Sequence, residues 1–170
     1  MAVHDTVAVG VALVACVWDL HSRRIPNLLT FGAASAALIV STSATGWSGL
    51  GSSMGGWLLA TALWLPLYAL GGMGAGDVKL LAAIGAWLGP VNVFHAAVYA
   101  GIAGGILAVA VAVTRGCVRQ TWSNVQLLIL HWRVAGFTPQ AQLTLETATS
   151  PRLAYAVPIL VGTMVAIWFR

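Results

Sequence analysis

Asp19 and Asp77 are the two residues whose type and setting could do chemistry. Asp19 lies in CVWDLHSRRIPNLLT, at the end of an apolar run and four residues before Arg23. Asp77 lies in GGMGAGDVKLLAAIG, between a glycine-rich approach and a second apolar run. The chain of 170 residues holds only two other carboxylates, Asp5 and Glu146. Two aspartates held together share a proton, because like charges at close range disfavour double ionisation. The ionised member can take a proton from water as that water attacks a peptide carbonyl. The protonated member can hydrogen-bond to the carbonyl oxygen. Such chemistry calls for no metal, no cofactor and no nucleophilic side chain. Each aspartate also has a purely structural reading. Asp77 could cap the helix it opens, and Asp19 could pair with Arg23 one turn on. In a chain this poor in carboxylates, two such residues facing one compartment favour function.

The elements that must position them follow from composition. Hydrophobic residues make up 59% of the chain and charged residues 7%, and the mean hydropathy is +0.90. A soluble domain carries about 25% charged residues, and a small soluble fold leaves too much surface in water to hide this much apolar area. The solvent is therefore lipid. The net charge of +4 is a topology signal rather than a sign of nucleic-acid binding, because Lys and Arg collect in cytoplasmic loops. Cys16 and Cys117 form no CxxC pattern, which leaves no disulfide framework and no zinc site. The N-terminus lacks the basic region and small-residue cleavage site of a secretory signal, so the first apolar segment is expected to remain as an anchor.

The pattern predicts an all-α, polytopic membrane bundle of about six spans. They run over 6–20, 28–45, 51–70, 78–88, 91–113 and 153–169. The fourth is too short to cross a hydrocarbon core of roughly 30 Å unaided. It must tilt, continue through Pro90, or be buried among its neighbours. With six spans, Arg23, Arg24, Lys79, Arg115, Arg119, Arg133 and Arg152 fall on one side, and only Arg170 falls on the other. The positive-inside rule makes the shared side cytoplasmic and both termini extracytoplasmic. Residues 1–170 then form a single membrane-embedded domain, with 114–152 as a cytoplasmic loop. Within that loop Trp122, Val125, Ile129 and Trp132 recur at helical spacing. They suggest a short amphipathic helix, either on the membrane surface or against the bundle. The GxxxG pairs Gly51/Gly55, Gly85/Gly89 and Gly101/Gly105 are candidate sites of close helix approach.

The same topology sets the depth of the two aspartates. The residues between Asp5 and Arg23 cover about 26 Å as a helix, and Asp19 sits about 6 Å deeper than Arg23. That is just inside the cytoplasmic edge, where a carboxylate is costly unless it faces protein or water. Pro26 ends the helix, and Asn27 is a candidate cap for the next one. Asp77 opens the fourth span from the same side. Gly74 and Gly76 allow unusual backbone angles and close approach beside it.

These residues resemble a known family. GAGDVKLLAAIGAWLG resembles the GxGD motif, with its lysine and leucine, of the type IV prepilin peptidases. WDLHSRRIPNLLT resembles their first motif, and RLAYAVPILVG resembles their last span, with its Y-x-x-P-like element. The resemblance covers essentially the whole chain in the expected order. It implies an integral-membrane aspartic endopeptidase of the prokaryotic plasma membrane. Such an enzyme removes the short basic leader of prepilin-like proteins on the cytoplasmic side, just before their apolar helix. By that resemblance Asp19 and Asp77 are the catalytic pair, and Gly74, Gly76, Lys79, Pro26 and Asn27 support it. The implied partners are prepilin-like substrates and the bilayer, with no nucleic acid, metal or other cofactor. The chain is similar to the short form found with Flp/Tad-type pili and as archaeal preflagellin peptidases. It lacks the paired CxxC motifs of larger members, so N-methylation of the product is not expected.

Two rival readings rest on other residues. GWSG, with Ser48, matches the GxSG of rhomboid-type serine proteases, but it sits in a polar connection. The nearest base in a span is His95, and the chemistry needs one close by. A non-enzymatic transporter or assembly subunit would use the aspartates for protons or ions. A carboxylate near mid-membrane would favour it, whereas both of these lie near one edge.

Overall fold

The computed structural model describes residues 3–136, 138 and 154–169. It is all helical among those residues, with α1 (Val3–Ser22), α2 (Asn27–Thr45), α3 (Trp47–Ala69), α4 (Ala75–Thr114), α5 (Val118–Ala135) and α6 (Ala156–Trp168). α1, α2 and α4 are long and apolar enough to cross a membrane, and α6 is a shorter apolar helix. Large apolar side chains such as Leu13, Val17, Phe31, Ile39, Leu58, Ile102, Ile106 and Val109 stay exposed around the outside. A soluble surface would not carry this many, whereas lipid accepts them. Arg170 and Glu146, with most of the polar connection before α6, lie outside the described residues.

The expected fourth and fifth spans are two limbs of α4, broken at Gly89. Gly89 has φ 75 and ψ 175, a region that side chains exclude. Pro90 follows at the first position of the second limb, where its missing N–H costs nothing. The chain reverses there. Along one straight helix, Asp77 and Gly104 would be about 40 Å apart. Yet the Tyr155 hydroxyl packs on Gly104 and also senses the charge of Asp77. The hairpin thus preserves the alternation that the charge pattern requires. Gly89→Ala should lower stability by about 1–3 kcal/mol, because the new Cβ would also stand 2.9 Å from the Ser52 hydroxyl. Thermal unfolding in detergent micelles measures it, and an unchanged midpoint would argue against a strained reversal.

The short fourth segment is resolved by burial. Val78 and every residue from Leu80 to Gly89 are buried, so the first limb of α4 is the central post of the bundle. A helix that is apolar all round belongs there. Protein surrounds it, and bilayer thickness does not set its length. α3 crosses it at Gly56 and Gly85, where a Cβ on either glycine would overlap the other's carbonyl. Of the expected GxxxG pairs, only Gly85/Gly89 makes this kind of contact. Gly51, Gly101 and Gly105 have open space beside them, and Gly55 only meets Pro90 at 3.9 Å. The indole N–H of Trp87 donates to the Ala33 carbonyl at 2.9 Å and ties α2 to the same post.

The amphipathic stretch in the long loop is α5, which packs only against α4 among the described elements. Trp122, Val125, Ile129, Leu130 and Val134 are exposed on it.

Candidate active site

α1 ends, α4 begins and α6 begins at one end of the bundle, and the two aspartates lie there within range of each other's charge. Asp19, on the last turns of α1, is only 8% exposed. Its carboxylate accepts a hydrogen bond from the backbone N–H of Ala156, the first residue of α6, and it lies within reach of the Arg23 charge. The charge of Asp19 in turn acts on Asp77. Residues far apart in sequence are thus electrostatic neighbours. Arg23 has a positive φ of 54, uncommon for a residue with a side chain. Its N–H still bonds to the Asp19 carbonyl at 2.9 Å, so the chain turns away one helical turn after the aspartate.

Asp77 is not the helix cap that its position suggested. Gly74 is the cap, and Asp77 stands three residues in. Its Oδ2 accepts from the Gly74 N–H at 3.3 Å, which satisfies one of the unpaired donors at a helix start. The structural role is therefore real, and it leaves the other carboxylate oxygen available. Gly74 and Gly76 do not use glycine-only backbone angles, contrary to expectation. Gly74 has φ −78 and ψ 146, and the positive φ in this stretch belongs to Gly71. What they provide is space. A Cβ on Gly74 would stand 3.1 Å from Asp77 Oδ2, and one on Gly76 would stand 3.4 Å from Ile25.

Lys79 and Asn27 bind each other. Lys79 Nζ donates to Asn27 Oδ1 at 3.0 Å and lies 5.5 Å from the centre of the Phe31 ring. Asn27 does not cap α2, as its place after Pro26 suggested. Pro26 is the cap, with no side-chain bond, and its carbonyl accepts from Leu29 and Thr30. The bond joins the segment after Asp19 to the helix carrying Asp77. Lys79→Met and Asn27→Ala should therefore be non-additive in unfolding free energy, coupled by about 1 kcal/mol. A coupling near zero in that double-mutant cycle would mean the bond does not hold the segments together.

The other candidates lie elsewhere. Ser48 lines a polar cavity of about 520 Å³ with His4, Asp5, Ser53 and Asn92, at the far end of α1 from Asp19. His95 lines a second cavity with Tyr99 and Phe169, and Ser48 is not among the residues lining it. Cys16 is buried in the core, as its apolar setting suggested. Among the described residues no three His, Cys, Asp or Glu side chains gather where a metal could sit.

A family model described as the type IV leader peptidase family matches residues 6–109. The chain belongs to that family. No curated protein and no solved structure matches it. As a member of the type IV leader peptidase family it is a membrane peptidase, and the matched region holds both aspartates and both segments joined by Lys79 and Asn27. The start of α6 lies beyond the match. Sequence reasoning noted its tyrosine and proline only as a likeness and gave them no role.

Proposed function

We propose that this leader peptidase is an intramembrane aspartic endopeptidase. It removes the short basic leader of prepilin-like substrates at the cytoplasmic face of the plasma membrane. The observation that supports this reading is that Asp19 and Asp77, each from a different helix, lie within range of each other's charge at one end of the bundle. Two carboxylates brought close together share a proton, because like charges disfavour double ionisation. The ionised carboxylate takes a proton from the attacking water, and the protonated one hydrogen-bonds to the scissile carbonyl oxygen. As the tetrahedral intermediate collapses, a carboxyl returns a proton to the leaving amine. Arg23, Arg24 and Lys79 stand at the same end, which supports a cytoplasmic placement. The exposed apolar face of α5 suits a helix lying in the membrane surface beside that end.

The test is reconstitution of the protein in proteoliposomes with a prepilin-like substrate, followed by N-terminal sequencing of the product. A single cut between the basic leader and the apolar helix is expected. Correctly inserted protein that leaves the substrate whole would sink the reading.

A further inference from the structure

The end of the bundle away from Asp19 and Asp77 holds a second concentration of polar groups. A cavity of about 520 Å³ opens there, between the start of α1, the end of α2, the start of α3 and the reversal of α4 at Gly89. Asp5, Ser41 and Ser53 line it, and they are only 5%, 6% and 2% exposed. Ser48 and Ser52, one turn apart on α3, stand in the same wall. Ser52 Oγ reaches the hairpin itself, since a Cβ on Gly89 would stand 2.9 Å from it. Among the described residues no Lys or Arg lines the cavity.

Ser53 gives the first sign of a ligand. A hydroxyl inside a helix commonly bonds to the carbonyl one turn back, as those of Thr42, Thr45 and Thr61 do here. Ser53 Oγ forgoes that bond and has no hydrogen-bond partner among the described residues. Buried polar atoms in native proteins meet a partner, whether protein, water or ion, and this one borders the cavity. Asp5 makes the stronger demand. A carboxylate within an apolar bundle is costly unless it faces water or a compensating group. It also offers about four acceptor sites, more than one protein neighbour fills.

The donor atoms select the ligand. Transition metals and calcium call for several carboxylate, thiolate or imidazole ligands, and no three such residues gather among those described. One carboxylate among neutral hydroxyls balances a single positive charge and presents hard oxygen donors. The volume lets an ion keep several of its waters, at about 30 Å³ each. We propose that this cavity is a binding site for a small monocation, an alkali metal ion or a primary ammonium, held by Asp5 and the hydroxyls of Ser53 and its serine neighbours. The Gly89 hairpin forms part of the wall, so the bound cation fastens α1, α2 and α3 to the reversal of α4. The site stands apart from Asp19 and Asp77 and does not depend on the peptidase reading.

The test is thermal unfolding of the purified full-length protein in a neutral detergent at pH 8, with chloride held constant. The reference salt is that of N-methylglucamine, a bulky organic cation. Replacing it with sodium or methylammonium at about ten times the dissociation constant should raise the midpoint by at least about 3 °C. A rise with sodium alone identifies the ligand as a metal ion, and a rise with methylammonium alone identifies an ammonium. Asp5→Asn keeps the shape, removes the charge and should abolish the rise. Ser53→Ala should need about tenfold more cation for the same rise. In the reference salt its midpoint should match or exceed that of wild type, because no hydrogen bond is lost. Equal midpoints for the wild type in all three salts would overturn the proposal. So would a rise that either substitution leaves unchanged, the mark of a general salt effect. If Asp5→Asn does not fold, the wild-type series and Ser53→Ala still decide.

Discussion

Asp77→Asn is expected to lower leader cleavage by on the order of 10³-fold, within the range for positioned proton transfer. That corresponds to about 4 kcal/mol of transition-state stabilisation. Asn is nearly isosteric with Asp, and its carbonyl oxygen can still accept from the Gly74 N–H that Asp77 Oδ2 now takes at 3.3 Å. The cap therefore survives while the exchangeable proton is lost. Asp19→Asn is expected to do the same, because an amide oxygen can still accept from the Ala156 N–H that binds Asp19. Each variant should insert and melt like wild type. The assay is leader removal from a co-expressed substrate, read as the mobility shift of the product. Normal cleavage by either variant would remove the paired-carboxylate mechanism. Lost cleavage together with lost insertion would place that aspartate in the fold instead.

Gly85→Leu is expected to be the most damaging change away from the aspartates. The backbones of α3 and α4 approach so closely that a Cβ on Gly85 would overlap the Gly56 carbonyl, and Val93 Cγ2 would stand only 3.0 Å away. No rotamer relieves a clash at Cβ, so the helices must part. Overpacking costs typically about 1–3 kcal/mol where the core can yield, and here the obstacle is backbone. In lipid, close packing is itself a main force between helices, so a forced separation also forfeits contacts along the central post. A loss above about 3 kcal/mol is expected in denaturant unfolding. Gly101→Ala is the control. That glycine also belongs to a GxxxG pair but has open space beside it, so the change should be neutral or stabilise by up to about 1 kcal/mol. Equal effects at the two positions would mean that the α3–α4 crossing is not a close contact.

Much of the architecture was legible because lipid imposes strong rules on sequence. Every span must be helical to satisfy its backbone, and apolar along its length. The runs at 6–20 and 28–45 accordingly sit within α1 and α2, which are long and apolar enough to cross a membrane, whereas the run at 51–70 falls largely on α3, which is not among the candidate spans of the described residues. The first limb of α4 was harder to read. Its 78–88 run reads as a span that is too short, because hydropathy cannot tell a lipid neighbour from a protein one. Only the packed bundle shows it enclosed on all sides.

The site divides in the same way. Asp19 and Asp77 stood out in sequence because carboxylates are expensive in an apolar chain, and the charge asymmetry put them on one side. Their local roles did not follow. The motif glycines serve space rather than backbone freedom, Asn27 binds Lys79 rather than capping α2, and Asp77 reaches back to Gly74. Sequence by itself determined the helical class, the apolar helices and the two isolated carboxylates, because solvent acts on each residue separately. Tertiary structure alone decided that Asp19 meets the start of α6 and that Tyr155 rests on Gly104 within range of the Asp77 charge. Those contacts depend on how three helix ends converge after the chain reverses at Gly89, and no periodicity along the chain records a convergence in space.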